Sequence, residues 1–226
     1  MSNKANTRTT PNTRAVKNAR TATKTSSLTI WVVAGGLVLA VVAVVVASLV
    51  TKADPVEGQV QNVAVEGAAL PAHTDQGDDP AVGAEAPVLE GRTFAGESLT
   101  IGGAAGSPSI VVFVAHWCPH CQAEVPRLVD WRADGTVPDD IDLFAVATGT
   151  DEAQPNYPPQ DWLEGEDWPG EVLVDNADGS AASAYGLSSY PFFVALNADG
   201  TVAARGAGEL DQAGIEALVA TLEAPQ

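Results

Sequence analysis

Residues 109–115 read Ser-Ile-Val-Val-Phe-Val-Ala, an unbroken apolar block rich in β-branched side chains. A block of this length without polar alternation predicts a strand covered on both faces, as in a parallel sheet. The segment 122–132 then reads as a helix, and 141–147 (Ile-Asp-Leu-Phe-Ala-Val-Ala) as a second buried strand. Further along, 171–175 predicts a short strand, 180–185 a short helix and 192–196 another strand. Asn197-Ala198-Asp199-Gly200 marks a turn into a returning hairpin strand at 201–205, and Asp211 caps a last helix reaching about 222. Strand, helix, strand, followed by a hairpin and a terminal helix, implies an α/β domain: a central mixed sheet flanked by helices on both faces.

The hydrophobic pattern changes character nearer the N-terminus. Residues 28–50 carry no charge and are dominated by Val, Ala and Leu. At about 1.5 Å per residue such a helix is ~34 Å long, enough to cross a hydrocarbon core of about 30 Å. A cleaved signal sequence would have an apolar region of about 7–15 residues behind a short basic region, and this one is longer. The expectation is therefore one transmembrane helix at 28–50, ahead of the α/β domain.

Charge sorts the chain around that span. Lys4, Arg8, Arg14, Lys17, Arg20, Lys24 and Lys52 precede Asp54 with no acid among them, whereas all 29 Asp and Glu lie from Asp54 onward, against Arg92, Arg127, Arg132 and Arg205. Basic residues before the span keep that end in the cytoplasm, so the domain is expected on the far side of the cell membrane, single-pass. Residues 1–27 are polar and aperiodic and read as a disordered cytoplasmic tail; 51–80 read as an extracytoplasmic linker, and 81–226 as one domain. The acidic domain argues against nucleic acid as a partner.

The candidate chemistry sits directly after the first buried strand. Cys118 and Cys121, in Trp117-Cys118-Pro119-His120-Cys121, are the chain's two cysteines. Strand, CxxC, helix puts Cys118 at a helix N-terminus, where free N–H groups and the positive dipole end favour thiolate over thiol. A structural zinc site needs about four ligands, and one Cys pair is present. A copper or zinc site using Cys118, Cys121 and His116 or His120 is the competing, non-enzymatic reading. A structural disulfide is disfavoured, because so short a loop restrains the unfolded chain little. A redox dithiol outside the cytoplasm works in an oxidising compartment.

Over residues 82–223 the chain resembles the membrane-anchored thioredoxin-like proteins of the TlpA/ResA type, within the thioredoxin and AhpC/TSA superfamily. The resemblance rests on Val82-Gly83-Ala84-Glu85-Ala86-Pro87, on the CxxC with Glu124-Val125-Pro126, and on Asp175, Asp178-Gly179, Ala184-Tyr185-Gly186, Tyr190-Pro191-Phe192-Phe193 and Asp199-Gly200. It implies a thioredoxin-like fold and a thiol–disulfide oxidoreductase. Such an enzyme needs no cofactor or metal beyond its dithiol. Its substrates would be protein thiols and disulfides, and a membrane redox partner would recycle it.

The resemblance further implies that Pro191 is cis and faces the dithiol, with Tyr190 and Trp117 meeting the substrate. Tyr190 departs from the small or β-branched residue common at its position in the family. Cys118, exposed at the helix start, is expected as the exchanging nucleophile and Cys121, one turn on, as the resolving thiol. Glu124 becomes the candidate proton carrier, since residues 110–115 hold no acid. His120 is expected to stabilise the Cys118 thiolate. The family leans towards reduction, including cytochrome c maturation, whereas a Pro-His dipeptide between the cysteines resembles strongly oxidising disulfide oxidases. An oxidant is expected.

Overall fold

A computed structural model describes residues 58–74 and 76–223. The expected tail, the expected span at 28–50 and the first part of the linker lie outside the described residues. Among the described residues, no helix is long and apolar enough to cross a membrane.

The centre is a five-stranded mixed sheet. Its strands are β4 (Ser109–Val114), β5 (Asp142–Ala147), β6 (Glu171–Val174), β7 (Phe192–Leu196) and β8 (Val202–Ala207), in the order β6-β5-β4-β7-β8. β4, β5 and β6 run parallel, β7 is antiparallel to β4, and β8 returns antiparallel to β7. All six residues of β4 are buried, as its unbroken apolar sequence requires of a central strand.

Alternation along β4 divides the core in two. Ile110, Val112 and Val114 point to one face and pack with residues of α1 (Pro119–Ala133), α2 (Pro159–Gly165) and α4 (Gln212–Glu223), among them Val125, Leu128, Leu163, Ile215 and Leu218. Val111 and Phe113 point to the other face. There they pack with Ala181 and Ala184 of the short helix α3 (Ser180–Ala184) and with Leu89, Leu99 and Ile101 of a second sheet.

That second sheet was not expected from the sequence. It is antiparallel, with order β1-β2-β3 from Ala64–Glu66, Val88–Arg92 and Ser98–Ile101. It does on the second face what helices were expected to do, with only five-residue α3 beside it.

The folded unit also starts earlier than residue 81. Within the segment expected as linker, β1 pairs with β2, and Gln59, Leu70 and His73 are buried. A buried ion pair holds this strap. The guanidinium of Arg205 donates from Nε to Asp79 Oδ2 (2.8 Å) and from Nη2 to Asp79 Oδ1 (2.6 Å), while Nη1 reaches the carbonyls of Pro71 (2.9 Å) and Tyr185 (3.0 Å). Arg205 beside it brings the Asp79 carboxyl down to about 2. Each of the three guanidinium nitrogens thus meets an acceptor, which favours burying that charge.

Candidate active site

Topology gathers the site at one end of the sheet. Val114 pairs with Ala147 and Phe113 with Phe192, so the carboxyl ends of β4, β5 and β6 meet the beginning of β7. The residues just beyond those ends are 115–118, 148–149, 175 and 190–191, which is the edge where open α/β sheets place their chemistry.

Cys118 is the N-cap of α1, with φ −74° and ψ 120°, and Pro119 follows at the first helical position. Proline suits that place because its fixed φ is helical and its missing N–H would have had no partner. The Cys118 carbonyl accepts the Gln122 N–H at 3.1 Å, and no side chain caps the helix. No capping side chain competes for the remaining first-turn N–H groups, and Cys118 itself is buried, 5% exposed, where an exposed nucleophile was expected: the helix start is covered by the segment around Tyr190. The Cys118 Sγ lies 4.0 Å from the Tyr190 carbonyl oxygen. The Tyr190–Pro191 bond is cis, as the resemblance implied.

Cys121 is fully buried one turn further along. Burial first, then the neighbouring sulfur of Cys118 and the charge of Glu124, push its thiol far above the ordinary range.

Glu124 is 0% exposed, on the same helix. Burial pushes its carboxyl up to about 7, against the favourable N–H of Leu210 and charge of Arg127. Oε1 accepts the Leu210 N–H at 3.2 Å. Oε2 lies 3.1 Å from Arg127 Nη1, an ion pair without a hydrogen bond, so this buried oxygen has a charged neighbour but no hydrogen-bond donor.

His120 faces away from the dithiol's buried side, with a side chain 67% exposed, and its Nδ1 is 2.6 Å from Glu209 Oε1. Its ring is therefore engaged with a carboxylate and is not dedicated to Cys118. That tempers the thiolate-stabilising role expected of it.

Trp117 and Tyr190 form an aromatic edge beside Cys118, their rings at 85° with centroids 5.8 Å apart. Trp117 Nε1 donates to the Gly149 carbonyl at 2.7 Å, and the Tyr190 hydroxyl bonds Thr148, whose own hydroxyl donates to buried Asp175 at 2.8 Å. Gly149 has φ +61°, and a Cβ there would stand 2.8 Å from the Tyr190 hydroxyl. A glycine thus makes room for the large residue before Pro191.

His116 is buried and clasps the following loop. Nδ1–H donates to the Pro155 carbonyl (2.7 Å) and Nε2 accepts the Asp151 N–H (3.2 Å). With both ring nitrogens engaged it offers no lone pair to a metal. Among the described residues, no three His, Cys, Asp or Glu side chains are grouped to hold one.

The structure thus brings together Cys118, Cys121, Trp117, Tyr190, Pro191 and Glu124, and sets His120 at the rim. Residues not singled out from sequence as site residues are Thr148, Gly149, Asp175, Arg127 and Glu209. Asp175 and Gly149 border predicted strands and were visible as strand ends; Arg127 and Glu209 gave no local signal.

Residues 82–205 match the AhpC/TSA family. A relative among characterised proteins is the methylamine utilization protein MauD of Methylophilus methylotrophus, 28% identical over 129 residues, covering 56% of this chain and 56% of that protein. The chain thus spans little more than half the length of that relative. Among solved structures, the thiol:disulfide interchange protein of the thioredoxin family from Chlorobium tepidum is similar with TM-score 0.50 and 20% identity, over 65% of this chain and 99% of that one. The thioredoxin domain of a thiol–disulfide oxidoreductase from Bacteroides vulgatus is similar with TM-score 0.50 and 19% identity, over 62% and 96%. The fold is thioredoxin-like.

Proposed function

We propose, from the premise that this chain belongs to the AhpC/TSA family, that it is a thiol–disulfide oxidoreductase working on protein cysteines outside the cytoplasm. The observation that carries this is Cys118 at an uncapped helix N-terminus, with its sulfur beside the carbonyl that precedes Pro191. Free N–H groups and the dipole end stabilise a departing or attacking Cys118 thiolate. An extended client segment can lie against the backbone at Tyr190, as an added strand does.

In the oxidising direction a client thiolate attacks Cys118 of the enzyme disulfide. The Cys118–Cys121 bond breaks, and Cys121 leaves with the electron pair. A thiolate in that buried position is strongly basic, and Glu124 hands it a proton. A second client thiolate then attacks the client sulfur of the mixed disulfide and releases Cys118. The client loses two electrons and the enzyme gains them as a dithiol. Reduction is the same path reversed, with Glu124 taking the proton from Cys121 before it attacks Cys118.

Membrane anchoring through residues 28–50, with the domain outside and a membrane partner restoring the enzyme's working redox state, completes the reading. It rests on the uncharged span and the basic residues before it. For direction, the Pro119-His120 pair supports an oxidant. The engagement of His120 by Glu209 favours the second reading, a reductase such as cytochrome c maturation uses.

Equilibration of the dithiol against glutathione, read by thiol alkylation, separates the two. The oxidant reading expects a potential above roughly −200 mV, towards the oxidising end of a range of about −270 to −120 mV. A value at or below roughly −250 mV assigns the reductase.

A further inference from the structure

We propose that Glu209 is a positioning residue for disulfide exchange, which by holding Arg127 keeps Oε2 of Glu124 available to carry the proton of Cys121. This rests on the oxidoreductase reading and adds a residue to it.

Four polar side chains form a chain from the rim of the site to its interior. His120 Nδ1 meets Glu209 Oε1 at 2.6 Å, and Arg127 Nη2 donates to Glu209 Oε2. Arg127 Nη1 donates to the Leu210 carbonyl at 2.8 Å, while the Leu210 N–H donates to Glu124 Oε1 at 3.2 Å. The turn between β8 and α4 is therefore clamped to α1 by both residues.

Arg127 serves two carboxylates and cannot serve both fully. Its hydrogen bonds go to Glu209 and Leu210, and Glu124 Oε2 is left within 3.1 Å of Nη1 yet without a hydrogen bond. A buried carboxylate oxygen with no donor is the one that holds a proton most readily. Turned towards Glu124, the same guanidinium would hold that carboxyl ionised, and it would then have no proton to give to Cys121. The charge of Glu209 acts in the same sense, since a like charge nearby opposes ionisation of Glu124. The titratable groups facing Glu124 are Cys121 and Arg127 from α1 and Glu209 from the turn, with His120 beyond Glu209.

The proposal sets opposite signs for two substitutions. Glu209→Gln releases Arg127 to Glu124 and should lower the Glu124 titration midpoint by about one pH unit. Arg127→Gln removes the stabilising cation and should raise it. Glu209→Asp should restore most of the wild-type value. The midpoint is read from the ¹³C carboxyl resonance of Glu124 in the full chain in detergent. The pH profile of mixed-disulfide resolution is measured in parallel and should move with it.

A merely structural clamp would shift the midpoint in one direction for both variants, or not at all, and either result overturns the proposal. Failure of the underlying reading looks different: the wild-type chain itself would then exchange no disulfides, whatever Glu209 does to the titration.

Discussion

Glu124 concentrates the site's conflict in one side chain. Its carboxyl ionises at about 7 when folded and near 4.5 as a free side chain, so the folded state binds its proton more tightly. The stability this group contributes is complete below about 4.5 and falls away as pH rises through 7. A tenfold difference in proton affinity is worth about 1.4 kcal/mol, so the ionised, buried carboxylate costs ~3 kcal/mol at alkaline pH. Glu124→Gln stays neutral throughout. Its gain over wild type in denaturant unfolding should therefore be ~2 kcal/mol larger at pH 8 than at pH 5. An equal gain at both would show that the wild-type carboxyl is not held neutral by burial.

The same residue shows what a linear reading can and cannot reach. Cys118, Pro119, Cys121 and Glu124 could be grouped because their spacing sets them on one helix, and the cis Pro191 because the resemblance points to it. Their partners were not. Glu209 is 89 positions from His120 and 82 from Arg127, and nothing in its own neighbourhood marks an acid as paired. The space that Gly149 leaves for Tyr190 exists only once β5 and β7 flank β4.

Among the elements, β4 and β7 were legible because a strand buried on both faces leaves a continuous apolar run, and β8, half-buried, because a turn at 197–200 precedes it. β1, β2 and β3 were not. β1 has three residues, and β2 reads Val-Leu-Glu-Gly-Arg, with a glycine and two charges. Such short strands are ordered by what they cover, here Leu173 and Tyr185, and not by propensity. The seven-residue α2 is likewise too brief to show helical periodicity.

The strap between β1 and β2 hangs on Asp79 and Arg205. Asp79→Asn leaves a fully buried guanidinium without its counter-ion and should destabilise the domain by about 3–5 kcal/mol at neutral pH. Because the folded carboxyl is depressed to about 2 from 3.8, its contribution is present above 3.8 and lost as pH falls through 2. The penalty of the variant should shrink across that window. A penalty independent of pH down to 2 would mean that the charge of Asp79 does not hold the strap.

For the whole molecule, acid and base are segregated: net charge is −18, with every acid on the C-terminal side of the apolar span. Protease added to spheroplasts should remove epitopes placed within 58–223 and spare one at the N-terminus. Recovery of a soluble protein lacking residues 1–50 would replace the anchor by a cleaved leader.

The central claim is that Cys118 exchanges disulfides with proteins and Cys121 resolves them, and trapping tests it most directly. In cells expressing Cys121→Ser, non-reducing gels should show mixed disulfides between Cys118 and client proteins, dissolved by reductant and absent in Cys118→Ser. The reverse pattern, or no trapped species with either variant, would contradict the claim.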